Sequence, residues 1–220
     1  MRCDRLDGLA KYVNSESAAV GIGTMIIFIA MILVAGIAAS VLLETMNDLQ
    51  GQAVKTGRET IGDISTGLKI NQVSGFQSNG RITQLAILLS PIAGSADVDI
   101  SMVTLSISDS NKKIFFSYNQ SCFSDSMIDG LFRSVNATLL NADEFGLLVV
   151  RDSDGSCLVD SPIIDSTDIV ALVVNTTKAF SGISPRVDIT GSVEPESGIS
   201  GKIRFFTPVS FSDHIIELQP

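Results

Sequence analysis

The chain has 220 residues, of which 45% are hydrophobic, and it carries a formal net charge of −9 with a sequence pI of about 4.5. This length allows one domain with an appendage, or two small domains. The acidic balance argues against nucleic acid as a partner, because binding to phosphates requires clustered Lys and Arg.

The hydrophobic residues are concentrated between Ala19 and Leu43, a run of 25 residues without a charge. As an α-helix this run would be roughly 38 Å long, which is enough to cross a bilayer. It is apolar on every side, so it must lie in lipid or be surrounded by other helices. Small residues at four-residue spacing, such as the pair Gly36 and Ser40, favour close helix–helix packing.

The polar residues 1–18 precede this run directly. A secretory signal has an apolar core of only about 7–15 residues with a cleavage site after it, and neither feature is present here. The run is therefore either an uncleaved membrane anchor or part of a mature chain that is cut before it, as in type IV pilin-like precursors.

The helical period continues after Leu43 with charged residues on the opposite face, and it weakens near Ser65–Gly67, where Gly is a natural stop. We expect one long helix over residues 19–68. Residues 69–80 are predicted to be a linker, and residues 81–220 an outer domain.

From Arg81 onward the hydrophobic period is two, which indicates strands separated by turns. A short helix is expected within Met127–Ala142. Many short strands with regular turns favour an all-β sandwich, and so the fold class is α+β. The predicted strands are Arg81–Leu89, Met102–Ser108, Lys113–Tyr118, Gly146–Val150, Asp168–Val174, Arg186–Ser192, Lys202–Thr207 and His214–Leu218.

The cysteines are Cys3, Cys122 and Cys157, an odd number for an exported chain. Loss of residues 1–18 would remove Cys3 and leave an even pair. A Cys122–Cys157 disulfide would stabilise the fold by roughly 3.5–4 kcal/mol in the chain-entropy model. The sequence favours this disulfide in an oxidising medium, and two buried thiols that never meet are the alternative.

No catalytic constellation is evident. The single histidine, His214, lies in the last predicted strand without a neighbouring nucleophile, and no phosphate-binding or metalloprotease motif occurs. Asp152 and Asp154 with the turn residue Gly155 resemble part of a calcium loop, but the closing Glu is missing, so we interpret them as a solvated turn. The same interpretation applies to Asp97 and Asp99. We therefore predict no enzyme activity, no cofactor and no metal site.

Three N-glycosylation sequons occur, at Asn119, Asn136 and Asn175. About two would arise by chance at this Ser and Thr content, so the count alone is weak evidence. Asn119 and Asn136 are expected in loops or at edges, and Asn175 directly after a predicted strand.

Residues 18–35, Ala-Ala-Val-Gly-Ile-Gly-Thr-Met-Ile-Ile-Phe-Ile-Ala-Met-Ile-Leu-Val-Ala, closely resemble the N-terminus of archaeal flagellins, the archaellins. Their hallmark is Gly-Ile-Gly-Thr followed by a run of Ile, Phe, Ala, Met, Leu and Val. The C-terminal stretch from Pro195 to Pro208 and the closing Ile215–Leu218 also resemble the ending of this family.

The resemblance implies that a prepilin-type peptidase cuts between Ala18 and Ala19, which leaves Gly21 third in the mature chain. It also implies an immunoglobulin-like outer domain, N-glycosylation at the sequons, and a precursor held in the membrane before assembly. The expected product is an extracellular helical filament, the archaellum, built from copies of this chain and other archaellins for swimming motility.

Two other functions are compatible with the same physical features. One is an archaeal type IV adhesion pilin, which shares the leader chemistry. The other is an uncleaved single-span membrane protein whose outer domain binds a ligand; the long amphipathic extension and the small-residue spacing count against it.

Overall fold

The computed structural model describes the backbone of residues 4–220 and the side chains of residues 20–62 and 64–220. Cys3 and the side chains of Ala18 and Ala19 lie outside this described set. The chain divides into two compact units, residues 1–57 and 58–220.

One long helix, α1, runs from Asp4 to Ser65. Its part between Val20 and Gly62 is long and apolar enough to cross a membrane, with a mean hydropathy of 2.9 in its most apolar window, none of which is buried. Adjacent large side chains are exposed all round the helix: Ile27 is 61% exposed and Phe28 65%. Residues 20–57 of the first unit therefore form no hydrophobic core, and their apolar surface requires a partner.

The described residues after α1 form eleven strands and one short helix, α2. Nine of the strands are hydrogen-bonded in the order β10-β9-β4-β5-β6-β8-β2-β1-β11, and β3 pairs separately with β7. The elements are β1 (Leu68–Ser78), β2 (Arg81–Pro91), β3 (Val98–Asp99), a 3-10 turn (Ile100–Met102), β4 (Thr104–Ser108), β5 (Lys113–Ser124), β6 (Glu144–Arg151), β7 (Ile163–Ile164), β8 (Ile169–Asn175), α2 (Thr176–Phe180), β9 (Asp188–Glu194), β10 (Gly201–Phe206) and β11 (Ile215–Gln219).

The long strand β5 joins two layers. Its residues 113–116 pair antiparallel with β4, and residues from Ser117 to Ser124 pair parallel with β6. One layer therefore contains β4, β9, β10 and the start of β5, and the other contains β1, β2, β6, β8, β11 and the rest of β5. The predicted fold class, a long apolar helix followed by a β-sheet domain, is confirmed.

The main core fills the space between these layers, with fully buried residues such as Leu105, Phe145 and Leu172 contributed by both. A second, smaller cluster lies where Val135, Ala137 and Leu140 cover Leu148, Ala171 and Val173 of β6 and β8. Both faces of β6 and β8 are thus buried, which explains their nearly continuous runs of apolar residues.

The predicted linker 69–80 is wrong, and so is the extension of the helix to Leu68. The helix ends at Ser65, Leu68 is buried at the start of β1, and β1 pairs with both β2 and β11. Register shifts between Ile70 and Gln72 and between Phe76 and Gln77 break the period of two, so the alternation that marks a strand is not visible in the sequence.

The short helix expected within Met127–Ala142 is also wrong. This segment consists of turns, with Gly130 at a φ of 83°. Its apolar side chains are spaced to cover β6 and β8 and not to form one helical face. Each of the eight predicted strands overlaps an observed strand, with ends that differ by a few residues.

The predicted disulfide between Cys122 and Cys157 is not formed. Both are free, buried thiols, and they belong to different clusters: Cys122 to the small cluster and Cys157 to the main core. Burial, followed by the nearby Asp152 and Asp168, raises the pKa of Cys157 to about 12. Burial, with a further contribution from Glu144, also raises the pKa of Cys122.

Only Thr66 and Gly67 separate α1 from β1, and both are buried. The carbonyl of Thr66 accepts from the N–H of Ile199 at 2.9 Å, and Ile199 in turn accepts from Leu68 N–H at 3.0 Å. Gly198 packs so closely against this point that an added Cβ would overlap the carbonyl oxygen of Thr66. We call residues 66–68 and 198–199 the junction.

Replacing Gly198 with Ala is expected to lower the free energy of unfolding of the β-domain by about 3 kcal/mol. Its φ of +99° is unfavourable for Ala, at about 1–2 kcal/mol, and the overlap with Thr66 adds a cost of about 1–3 kcal/mol. Denaturant unfolding of the full chain in detergent, followed by circular dichroism, measures this loss. Gly80→Ala is the matched control, because Gly80 has a φ of +72° but nothing within 4 Å. Equal losses for the two variants would contradict the close packing at the junction.

Both thiols are expected to resist alkylation in the folded chain and to react fully in denaturant without any reductant. Burial and a raised pKa keep each thiol neutral and inaccessible at pH 7, and only the thiolate is nucleophilic. Intact-mass measurement before and after iodoacetamide counts the modified sites on peptides of Cys122 and Cys157. A sample that gains these groups only after reduction would show that the disulfide exists.

Candidate functional site

The most extended functional surface is the exposed part of α1. Gly36 has no atom near its Cα that an added side chain would touch. Ala30, Ala35 and Ala38 form a shallow apolar depression with Ile27 and Val34 on one side of the helix. Small residues of this kind allow the backbone of a second helix to approach closely. The surface is chemically inert and suits helix-to-helix packing or contact with lipid.

His214 does not form a catalytic site. It is exposed just before β11 and stacks on Phe76 with a centroid separation of 6.4 Å. Its carbonyl accepts from the N–H of Gln77 at 2.7 Å. Within the described residues, no hydroxyl or thiol nucleophile contacts its ring.

The three sequons have very different environments. Asn136 is exposed, and its Oδ1 accepts from the N–H of Thr138 at 3.2 Å and from the Thr138 hydroxyl at 2.6 Å. Among the described residues, its Nδ2 atom, which would carry a sugar, has no hydrogen-bond partner. The folded chain therefore presents Asn136 to solvent.

Asn119 is half-buried in β5, and its Nδ2 donates to Glu144 Oε2 at 2.6 Å. The same carboxylate accepts from the N–H and the side-chain amide of Asn141, at 3.1 Å and 2.9 Å. These hydrogen bonds, with those of Asn141 the largest, lower the pKa of Glu144. Asn119 is therefore part of a hydrogen-bonded cluster and not a freely exposed amide.

Asn175 is only 9% exposed. It is the N-cap of α2, where its Oδ1 accepts from the N–H of Thr177 and of Lys178. Its Nδ2 donates to the carbonyl of Ala137 at 2.8 Å, and Lys178 Nζ donates to the carbonyls of Thr138 and Leu140. Asn175 and Lys178 therefore hold the loop that contains the Asn136 sequon. The sequence could not reveal this role, because the two segments are far apart along the chain.

Asp152, Asp154 and Asp168 place one carboxylate oxygen each within 4.8 Å of one another. Asp152 accepts from the N–H of Gly155 and of Cys157; burial acts to raise its pKa, but these hydrogen bonds outweigh it and lower the pKa. Carboxylate oxygens in this arrangement are ligands of the type that Ca²⁺ prefers. Sequence spacing connects only Asp152 and Asp154; Asp168, just before β8, joins them through the fold.

The other acidic pair has a structural role. Asp99 caps the 3-10 turn by accepting from the N–H of Ser101 at 2.8 Å. Asp97 is exposed in the loop before β3. Neither belongs to the acidic cluster of Asp152, Asp154 and Asp168.

Comparison with known proteins gives consistent relatives. The sequence pattern of the archaeal-type flagellin family matches residues 18–205. Flagellin B2 of Methanocaldococcus jannaschii is 40% identical over an alignment that covers 95% of this chain and 98% of that protein. Flagellin B4 of Pyrococcus abyssi is 38% identical and covers 93% of this chain, with 99% of its own length matched.

Solved structures show the same fold. The crystal structure of an archaeal flagellin from Methanocaldococcus jannaschii superposes with a TM-score of 0.61 at 28% identity, covering 70% of this chain and 97% of that one. The archaeal flagellum of Methanospirillum hungatei gives a TM-score of 0.62 at 11% identity, covering 91% of this chain and 99% of that one. With matches in sequence over nearly its whole length, this chain belongs to the archaeal-type flagellin family.

Proposed function

We propose that this chain is a structural, non-catalytic subunit of the archaeal flagellar filament and that it polymerises through α1. The observation that carries this proposal is the all-round exposure of the apolar helix. Each Å² of apolar surface left in water costs about 25 cal/mol, so this surface must be covered. Copies of the same helix in neighbouring subunits are the natural cover, because the small residues allow close packing.

Assembly would proceed from the membrane. The apolar segment of α1 is long enough to hold the precursor in a bilayer with the β-domain outside. A prepilin-type peptidase would remove residues 1–18, and the helix would then exchange lipid contacts for contacts with other helices. A head-to-tail contact that does not close on itself produces a helical filament, which would be extracellular.

Family membership favours this filament over an adhesion pilin and over an uncleaved single-span receptor. In a swimming filament the subunit transmits torque that a motor elsewhere generates. The junction suits this role, since the last turn of α1 continues into the core strand β1 through only two buried residues.

Glycosylation of the outer domain is proposed at Asn136. The Asn136 side chain is exposed, and its amide nitrogen has no hydrogen-bond partner among the described residues, whereas the amide nitrogens of Asn119 and Asn175 donate to Glu144 and to the Ala137 carbonyl. A sugar on the buried Asn175 would displace the loop that its side chain holds.

The proposed function is tested on filaments sheared from whole cells. The chain is expected in this fraction with Ala19 as its first residue, because cleavage before the apolar run frees the helix for assembly. Mass spectrometry of the N-terminal peptide gives the answer. A chain that is absent from the fraction and keeps residues 1–18 in the membrane would support the single-span alternative.

The same filaments test the choice of sequon. Glycan mass is expected on the peptide that contains Asn136 and not on the peptide that contains Asn175. Asn136→Gln should remove it without changing thermal stability by more than about 0.5 kcal/mol, as is usual for an exposed site. Asn175→Gln is the matched comparison: it should leave the glycan but destabilise the domain by about 1–2 kcal/mol through the lost cap. A glycan on Asn175 would show that modification precedes folding.

A further inference from the structure

The charge of the β-domain is unevenly distributed. Residues 125–168 contain nine Asp and Glu and two Arg, a net charge of −7. The ranges 69–124 and 169–220 together contain eight acidic and eight basic residues, a net charge of zero. All of the net negative charge of residues 69–220 therefore lies between the end of β5 and the start of β8.

The smaller layer has a different outer face. One row of paired residues crosses this layer from β10 to β5: Arg204 pairs with Thr190, Thr190 with Ser108, and Ser108 with Lys113. Residues paired in this way share one face of a sheet. Lys113 and Arg204 therefore stand on the same side, separated by three strand spacings, or about 14 Å.

The next row of paired residues on the same four strands consists of Lys202, Ser192, Ser106 and Phe115. The two hydroxyls in its centre are buried and lie 3.1 Å apart, beneath the longer side chains. Phe115 is 56% exposed, although it is a large aromatic residue, and Lys113 Nζ lies 4.8 Å from the centre of its ring. We call Lys113, Phe115, Lys202 and Arg204 the basic face.

The cations of the basic face have no carboxylate partner among the residues whose side chains are described. The acidic residues of the same layer stand at the two ends of β9, and Glu194 accepts from the Ser192 hydroxyl at 2.7 Å. An exposed aromatic residue beside three cations that form no ion pair within the described part of the chain is typical of a binding surface.

The loop of residues 152–161, the acidic loop, has the complementary composition. Asp154 and Asp160 are exposed, and between them Leu158 is 61% exposed. The loop is held in place, since the Tyr118 hydroxyl donates to the carbonyl of Val159 at 3.1 Å and Asp152 accepts from two of its N–H groups. A loop that is already ordered loses little conformational entropy on binding.

We infer that the acidic loop of one copy binds the basic face of another copy in the filament, with carboxylates against Lys113, Lys202 and Arg204 and Leu158 against Phe115. This inference rests on the proposed function. Identical subunits in one helical array meet through two different surfaces, so one chain must carry both halves of the contact. The opposite charges and the matching apolar residues on the two surfaces meet this requirement.

Zero-length cross-linking of sheared wild-type filaments with a carbodiimide tests the contact, because this reagent joins only amines and carboxylates that already touch. We expect linked peptides that connect Lys113 or Lys202 to Asp154 or Asp160, and their loss after detergent dissociates the filament. Lys112 is the matched control, because its Nζ donates to the carbonyl of Ala179 and it should form no such link.

Charge exchange provides the second test. Lys113→Glu with Lys202→Glu is expected to lower the yield of sheared filaments by about fivefold, and Asp154→Lys with Asp160→Lys by a similar factor, since each removes two ion pairs per contact. Combining all four changes should restore at least half of the wild-type yield. Lys112→Glu should leave the yield unchanged.

The outcomes separate the two proposals. A sheared fraction that lacks the wild-type chain overturns the proposed function and this contact with it. Filaments that contain the chain but give no such cross-links, or in which Lys113 and Lys202 react with an amine reagent as readily as in dissociated subunits, overturn the contact alone. A variant with all four substitutions that assembles no better than either double variant also overturns the contact alone.

Discussion

The whole molecule depends on one physical constraint, the apolar surface of α1 that the chain itself does not cover. From Val20 onward its large side chains are exposed on all sides. Water disfavours such a surface by about 25 cal/mol per Å², and a helix with no polar face cannot relieve this cost by turning. The helix therefore requires a cover that the described residues do not supply, and both proposed environments, the membrane for the precursor and the filament for the assembled subunit, would meet this need.

The β-domain, in contrast to the helix, has its own hydrophobic core. Its core lies between two layers joined by the long strand β5, and a second cluster covers the outer side of β6 and β8. The helix ends where this core begins: Leu68 is buried immediately after the junction. The two residues between α1 and β1 are buried, and backbone hydrogen bonds of Thr66 and Leu68 with Ile199 hold this connection.

The sequence predicted the parts of this structure whose hydrophobic period is regular. The helix and the eight strands with clear alternation follow from local patterns, although the helix ends at Ser65 and not at Leu68. The failures have non-local causes. The sequence predicts a linker at β1, because the bulges of this strand interrupt the period of two. The sequence predicts a helix within Met127–Ala142, because local spacing does not show that Val135, Ala137 and Leu140 cover two strands. Only the folded sheet shows this. The disulfide was inferred from the number of cysteines, but pairing requires proximity, and two different clusters bury the thiols.

For the candidate sites too, the residue types can be read from the sequence, but the contacts of each residue in the fold cannot. Three sequons look alike in sequence, yet they differ in what the amide nitrogen does: at Asn136 it has no hydrogen-bond partner among the described residues, at Asn119 it binds a carboxylate, and at Asn175 it fixes the loop of another sequon. Likewise, the net charge of −9 does not show where the charged residues lie in the fold until the pairing of the strands is known. Pairing places Lys113, Lys202 and Arg204 on one face, while the net negative charge of the domain lies between the end of β5 and the start of β8. In a polymer of identical chains, this separation of charge favours contacts between unlike surfaces of two copies over contacts between like surfaces. The apolar helix gives the filament its cohesion without specifying which sides of the outer domains meet, and a charged contact between those domains would specify it.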